Sequence, residues 1–269
     1  MRKEITTIKN QRKVHRLKIT FFILIAVIVL IGARWILQQS INNQELSETK
    51  VNYQSTPTLL IPGYLANRLT FDGMIGSLAK FKLATRAAVI HISSSGNISI
   101  DQVANLKKDN PLIQVLFQNN RSESVQYHQL AKLLKLLKQN YHIDSVDLVG
   151  HSLGGNVIFD YLTDQHLQKS EYPTTKKFVN ISSTFPGDEN QGKFLPRKLQ
   201  ILNISGNLWN LKTDGVIPLK GNLQLGKIVT PFVQSYKSKV ITGGLFSAYH
   251  ITLHENGEVD KIISQFLFS

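Results

Sequence analysis

Residues 145–162 read SVDLVGHSLGGNVIFDYL, and this stretch decides the fold. Its first five residues form a short apolar run with β-branched valines, the pattern of a buried strand. Gly150-His151-Ser152-Leu153-Gly154 follows as a G-x-S-x-G, and residues 153–162 continue with helical character. Strand, sharp turn and helix are the context this motif requires. The turn is so tight that its flanking positions must be glycine to avoid clashes. It holds the serine in a strained conformation and projects Oγ from the C-terminal edge of the sheet. The start of the helix also presents backbone N–H groups and a positive dipole end, which suit a developing oxyanion. Ser152 is therefore a candidate nucleophile, and the alternative of an ordinary loop serine ignores both flanks.

Outward from the elbow, short apolar runs alternate with helical patterns. Strands are expected at 58–61, 87–92, 111–117, 177–181, 199–204 and 237–241, with helices at 71–81, 124–140 and 259–268. Alternation of this kind builds βαβ units and a mostly parallel sheet flanked by helices. The helix at 124–140 is the clearest, with Val125, Leu130, Leu133, Leu134 and Leu137 on one side and Lys132, Lys135 and Lys138 off it. The fold class is α/β. Residues 164–197 leave room for only a small cap.

A serine nucleophile needs a base, and the base needs an orienting acid. Nucleophile-elbow enzymes carry them in the chain order Ser, acid, His. Of eight histidines, His15, His91, His128 and His142 precede Ser152, His151 lies within the turn, and His166 follows it too closely. His250 and His254 remain, both between the last expected strand and the closing helix. His250 leaves several residues before that helix, whereas His254 adjoins Glu255-Asn256, which read as the helix start. The spacing favours His250 and leaves His254 as a loop histidine with local hydrogen bonds. For the acid, Asp214 lies in KTDGVIP (212–218), a glycine-containing turn after the strand at 199–204. Asp-Gly is also a common turn pair, but the position between Ser152 and His250 favours the catalytic reading. Asp188, in FPGDENQG, follows the wrong strand. Oxyanion donors are expected at the backbone N–H of Leu153 and at Tyr64, after Pro62-Gly63; the Tyr64 ring could equally line a pocket or serve packing.

The N-terminal fifth of the chain is different in kind. The protein has 269 residues, 31 Lys and Arg against 18 Asp and Glu, a net charge of +13 and no cysteine. Residues 1–18 hold seven basic side chains and one acid, so +6 of that charge precedes an apolar stretch. Residues 19–33 carry no charge, Arg34 and Trp35 suit a membrane interface, and the run through Leu37 is close to the ~20 residues that cross a bilayer. The positive-inside rule places residues 1–18 in the cytoplasm as a basic arm and sends everything after the span outside. A cleaved signal segment is the competing reading of 19–37, with Ile31-Gly32-Ala33 as a poor cleavage site. Residues 38–56 read as a polar tether, and 57–269 as one domain. The protein is thus expected at the cell membrane as a single-pass chain with an extracytoplasmic domain, or secreted if the segment is cleaved. Absence of cysteine excludes a disulfide scaffold, a Cys-ligated metal and a thiol nucleophile. With the basic excess explained by topology, no nucleic-acid partner is expected; the remaining +7 suits an anionic envelope.

PGY after the first strand, GHSLGG, TDGVIPL and YHITLHENGEVDKIISQFL together resemble the α/β-hydrolase superfamily. More narrowly they resemble the DUF915-like group of Gram-positive cell-surface α/β hydrolases, over residues 58–268. The resemblance implies a triad of Ser152, Asp214 and His250, a central mostly parallel sheet, and no metal or organic cofactor. Pro62 departs from the histidine that many superfamily members carry before the glycine, which weakens an oxyanion assignment by analogy. The expected activity is a membrane-anchored serine esterase acting on a small-molecule, lipid or envelope ester. The alternative is a non-catalytic surface binding module that keeps the fold.

Overall fold

The computed structural model describes residues 2–167 and 169–269, with the side chains of residues 2–14, Trp35, Gln39, Asn42 and Glu45 outside the description. The expected roles of the first basic side chains and of Trp35 therefore lie outside the described residues. The chain divides into two units, residues 1–42 and 43–269. Helix α1 (Arg2–Ser47) contains a segment within the first unit, His15–Gln38, with a mean hydropathy of 2.5 and none of its described side chains buried. It is long and apolar enough to cross a membrane.

The second unit is built on an eight-stranded sheet in the order β3-β2-β4-β1-β5-β6-β7-β8. The strands are β1 (Thr58–Ile61), β2 (Thr85–Ile92), β3 (Ile98–Gln102), β4 (Pro111–Phe117), β5 (Ser145–His151), β6 (Thr174–Ile181), β7 (Gln200–Leu208) and β8 (Ser235–Gly243). All neighbours pair in parallel except β3, which runs antiparallel to β2 at one edge. Parallel strands need crossovers, and five helices supply cover on the two faces. Helices α3 (Glu123–Tyr141), α4 (Leu153–Thr163) and α5 (Leu219–Val229) pack with Leu59, Ile61, Ile113 and Ile201 on one face. Helices α2 (Asp72–Lys80) and α6 (Gly257–Leu267) pack with Leu60, Val149, Val179 and Leu202 on the other. Leu59 and Leu60 going to opposite faces is the period-2 alternation of a strand buried on both sides.

Three features depart from the sequence reading. Edge strand β3 and helix α5 have no expected counterpart. Within 164–197, read as the place for a small cap, the strand expected at 177–181 is present as β6 (Thr174–Ile181) and starts three residues earlier. Residues 43–56, expected as tether, lie on the second unit. Leu46 is 1% exposed among α2 and α6 side chains, the Asn52 N–H donates to the Phe268 carbonyl at 2.8 Å, and Gln54 Nε2 donates to the Leu267 carbonyl at 3.1 Å. A buried leucine together with main-chain and side-chain hydrogen bonds docks a segment that shows no apolar period.

Asp260, in the first turn of α6, is buried, and its Oδ1 has no hydrogen-bond partner. Burial, and then the charge of Glu255, push its carboxyl well above the ordinary range. A raised folded-state pKa means the native state holds the proton more tightly. Its contribution to stability is therefore lost progressively as pH rises above the unfolded value of about 4. The slope of that loss reaches about 1.4 kcal/mol per pH, and Asp260→Asn should flatten it. Thermal melts of both proteins at pH 5 and pH 8 check this; an unchanged pH dependence in the variant would refute it.

Candidate active site

The order β4-β1-β5 makes β1 the point where the sheet's winding reverses, and ligands of open α/β sheets bind beyond the C-terminal ends of strands at such a point. Gly63 follows β1 there and Ser152 follows β5. Ser152 adopts φ 53° and ψ −127°, a conformation disfavoured for any residue with a Cβ. The surrounding backbone holds it: the Ser152 N–H donates to the Ile181 carbonyl at 2.9 Å, and its carbonyl accepts from Gly155 N–H at 3.0 Å and Ser183 Oγ at 2.6 Å. The turn leaves no room for side chains at its corners. A Cβ on Gly154 would lie 2.1 Å from the Ile61 carbonyl oxygen, and one on Gly63 would lie 2.8 Å from Ser152 Cβ. The loop after β1 thus passes directly beside the serine.

Asp214 is fully buried and its carboxylate is saturated with donors. Oδ1 accepts from the N–H groups of Val216 and Ile217 at 2.8 and 2.6 Å. Oδ2 accepts from His250 Nδ1 at 2.6 Å and from the Ser182 hydroxyl. Burial pushes this carboxyl up, but hydrogen bonds from His250, Ser182 and Ile217 outweigh it and hold the group below its ordinary value. The His250 N–H also donates to the Asp214 carbonyl at 3.0 Å, so the two residues are joined by main chain and side chain together. The TDGVIP turn serves as more than a turn.

His254 lies elsewhere. Its Nδ1 meets Glu255 Oε1 at 3.0 Å, and its ring packs on His151 and Phe71. Asp188, the other acid weighed, caps the 3-10 turn Glu189–Phe194 by accepting from the Asn190 N–H. Leu153 opens α4, and Tyr64 follows Gly63 and is exposed. Among the described residues neither their N–H groups nor Ser152 Oγ enters a hydrogen bond within the protein.

Residues 45–194 and 188–269 match the family of α/β hydrolases of unknown function, DUF915. The chain belongs to that family. The lin2722 gene product of Listeria innocua has the same fold, with TM-score 0.71 at 24% identity over 79% of this chain and 94% of that one. A Lactobacillus plantarum WCFS1 protein described as a proposed cell surface hydrolase superposes at 0.66 with 23% identity, over 79% and 91%. The Pyrococcus furiosus esterase Pf2001 superposes at 0.51 with 12% identity, over 83% and 93%. At these identities the likeness is one of fold. No curated protein matches the chain.

Beside Ser152 this DUF915 hydrolase has a cavity of about 480 Å³, lined by Tyr64, Leu153, Asn156, Phe159, Phe185 and Ile217 among others. Residues 184–187 and Gln191, from the excursion after β6, form one wall. Two carboxyls, Glu123 and Asp160, face the same cavity. Burial, a hydrogen bond to Asp160 and the charge of Asp160 push Glu123 up to about 7. Burial also raises Asp160, against the lowering effect of its contact with Glu123.

Sequence reading misses Ser182, Glu123, Asp160 and the His151 ring. Ser182 carries one available signal, its position at the C-terminal end of a strand, where site residues of parallel sheets gather. The carboxyl pair is assembled by the packing of α3 on α4 and leaves no trace in spacing.

Proposed function

We propose that the protein is an extracytoplasmic serine hydrolase that cleaves carboxylic esters through Ser152, His250 and Asp214. The observation that carries the reading is the buried hydrogen bond from His250 Nδ1 to Asp214 Oδ2. It is supported by the strained turn that presents Ser152 at the cavity. His250 Nε2 takes the Ser152 proton as Oγ attacks the acyl carbon, and Asp214 fixes the tautomer and stabilises the imidazolium. The oxyanion sits on the N–H groups of Leu153 and Tyr64, which no other acceptor among the described residues occupies. The tetrahedral intermediate collapses, the alcohol leaves with the proton from His250, and an ester on Ser152 Oγ remains. Water, deprotonated by His250, attacks that acyl-enzyme and releases the acid. Open cavity walls, and a cap reduced to one short excursion, suit small-molecule or envelope esters.

The basic arm and the apolar segment His15–Gln38 support an anchor with the arm in the cytoplasm and residues 43–269 outside. The cell-surface description of the Lactobacillus plantarum relative agrees with this placement.

Labelling of the full-length protein in detergent with a fluorophosphonate tests the reading. The expected adduct maps to Ser152 by mass spectrometry and is lost in Ser152→Ala and in His250→Ala. No labelling under conditions where a control serine hydrolase reacts would transfer the protein to the class of binding modules that retain the fold. Loss of labelling in His254→Ala with His250→Ala unaffected would move the base by one turn.

A further inference from the structure

Asp214 and His250 form one rigid piece, held by two hydrogen bonds, on the loops after β7 and β8. Ser152 stands on a different piece, the turn after β5. Strand β6 lies between β5 and β7, so sheet pairing does not bring the two pieces into direct register. Among the described residues no side-chain hydrogen bond joins Ser152 to His250 or Asp214. Something else must set the gap across which the proton moves.

One side chain spans it. His151 Nε2 lies 3.0 Å from the main-chain carbonyl oxygen of His250. Both residues are buried, and their rings are 4.7 Å apart between centroids. His151 is the last residue of β5 and sits directly before the nucleophile. Its ring lies beside that of His254, which packs in turn on Phe71. We propose that His151 is a positioning residue: its Nε2–H holds the His250 carbonyl and so fixes the base relative to Ser152. This rests on the serine-hydrolase reading above.

The chemistry of the contact fixes the state of the ring. A carbonyl oxygen can only accept, so Nε2 carries the proton. Burial, and then the neighbouring His254 and His250, hold His151 well below the ordinary histidine range, which leaves Nδ1 bare and the ring neutral. Neutrality matters, because an imidazolium must form on His250 during proton transfer. A second cation at this distance would oppose it. His254, the histidine set aside as base, has a part here. Its ring meets His151 edge-on at 4.6 Å, is backed by Phe71 at 5.4 Å, and is oriented by Glu255 through Nδ1. It walls the His151 ring into the orientation that reaches the carbonyl.

Side-chain length makes the idea testable. A glutamine Nε2 lies as many bonds from Cα as a histidine Nε2 and also donates a proton. An asparagine amide is one bond short, and leucine has no donor. We therefore compare His151→Gln, His151→Asn and His151→Leu in the full-length protein in detergent, by p-nitrophenyl ester kinetics, fluorophosphonate labelling rate and thermal melting. His151→Asn and His151→Leu are expected to lower kcat and the labelling rate by about 10²-fold, as for a misplacement of about 1 Å, with KM little changed. His151→Gln is expected to recover most of that loss. Should His151→Leu fail to fold, the Gln and Asn pair makes the same comparison. Equal kcat in all variants, or equal losses in Gln and Asn with intact melting, would overturn the positioning role while wild-type labelling keeps the hydrolase reading. Absence of labelling in the wild type would remove both.

Discussion

Ser152→Ala should lower kcat for a p-nitrophenyl ester by about 10⁶-fold while the melting temperature holds or rises. The magnitude follows from serine hydrolases of other folds, where loss of the nucleophile leaves only binding and oxyanion stabilisation. The physical argument is local. Ser152 Oγ makes no hydrogen bond in the protein among the described residues, so its removal strands no buried partner. A site strained for function gives up activity and keeps or gains stability when that function is removed. His250→Ala should cost nearly as much in kcat, because an unassisted serine hydroxyl is a weak nucleophile near neutral pH. The double variant should then be no slower than either single one, since the two groups act as a unit. Additive losses would show that they act independently, and a Ser152→Ala protein with more than a hundredth of wild-type kcat would end the nucleophile assignment.

The elbow is legible because three independent signals coincide within the stretch 145–162: an apolar strand, a glycine-flanked serine and a helix. Order along the chain singles out Asp214 and His250, which the structure joins by a hydrogen bond, while Asp188 and His254 meet other partners. What stays hidden has physical reasons. Strand β3 is a short edge strand with every side chain partly or fully exposed, so it needs no apolar run. Helix α5 contains two glycines and buries Asn222, whose Nδ2 donates to the Ser183 carbonyl at 2.8 Å. A polar residue on the buried face breaks the period on which helix recognition depends. Ser182, His151 and the Glu123–Asp160 pair act through contacts between elements distant in sequence. Such contacts have no spacing to read.

Asp214→Asn should lower kcat by about 10⁴-fold, the cost seen when an orienting acid becomes an amide in an otherwise intact triad. Here the cause can be followed atom by atom. The carboxylate accepts four hydrogen bonds, from two backbone N–H groups on Oδ1 and from His250 and Ser182 on Oδ2. An asparagine offers one acceptor and one NH₂. If the amide nitrogen faces Val216 and Ile217, two N–H groups confront a donor in a buried turn, at a cost of about 1–3 kcal/mol for each unsatisfied group. The amide therefore turns its nitrogen to His250, which must then present Nδ1 as acceptor and carry its proton on Nε2. That tautomer cannot take the Ser152 proton. The same geometry sets a pH signature. Asp214 is held below its ordinary pKa, so its stabilising contacts are present above the unfolded value of about 4 and are lost as pH falls through the lower folded value. Asp214→Asn should accordingly remove part of the protein's acid sensitivity below about pH 4 while abolishing turnover near neutrality. Rates from pH 6 to pH 10, with melts from pH 3 to pH 7, separate the two effects. If the Asn variant retains a tenth of wild-type kcat at pH 7, the carboxylate is not orienting the base, and the His250–Asp214 pair is architecture alone.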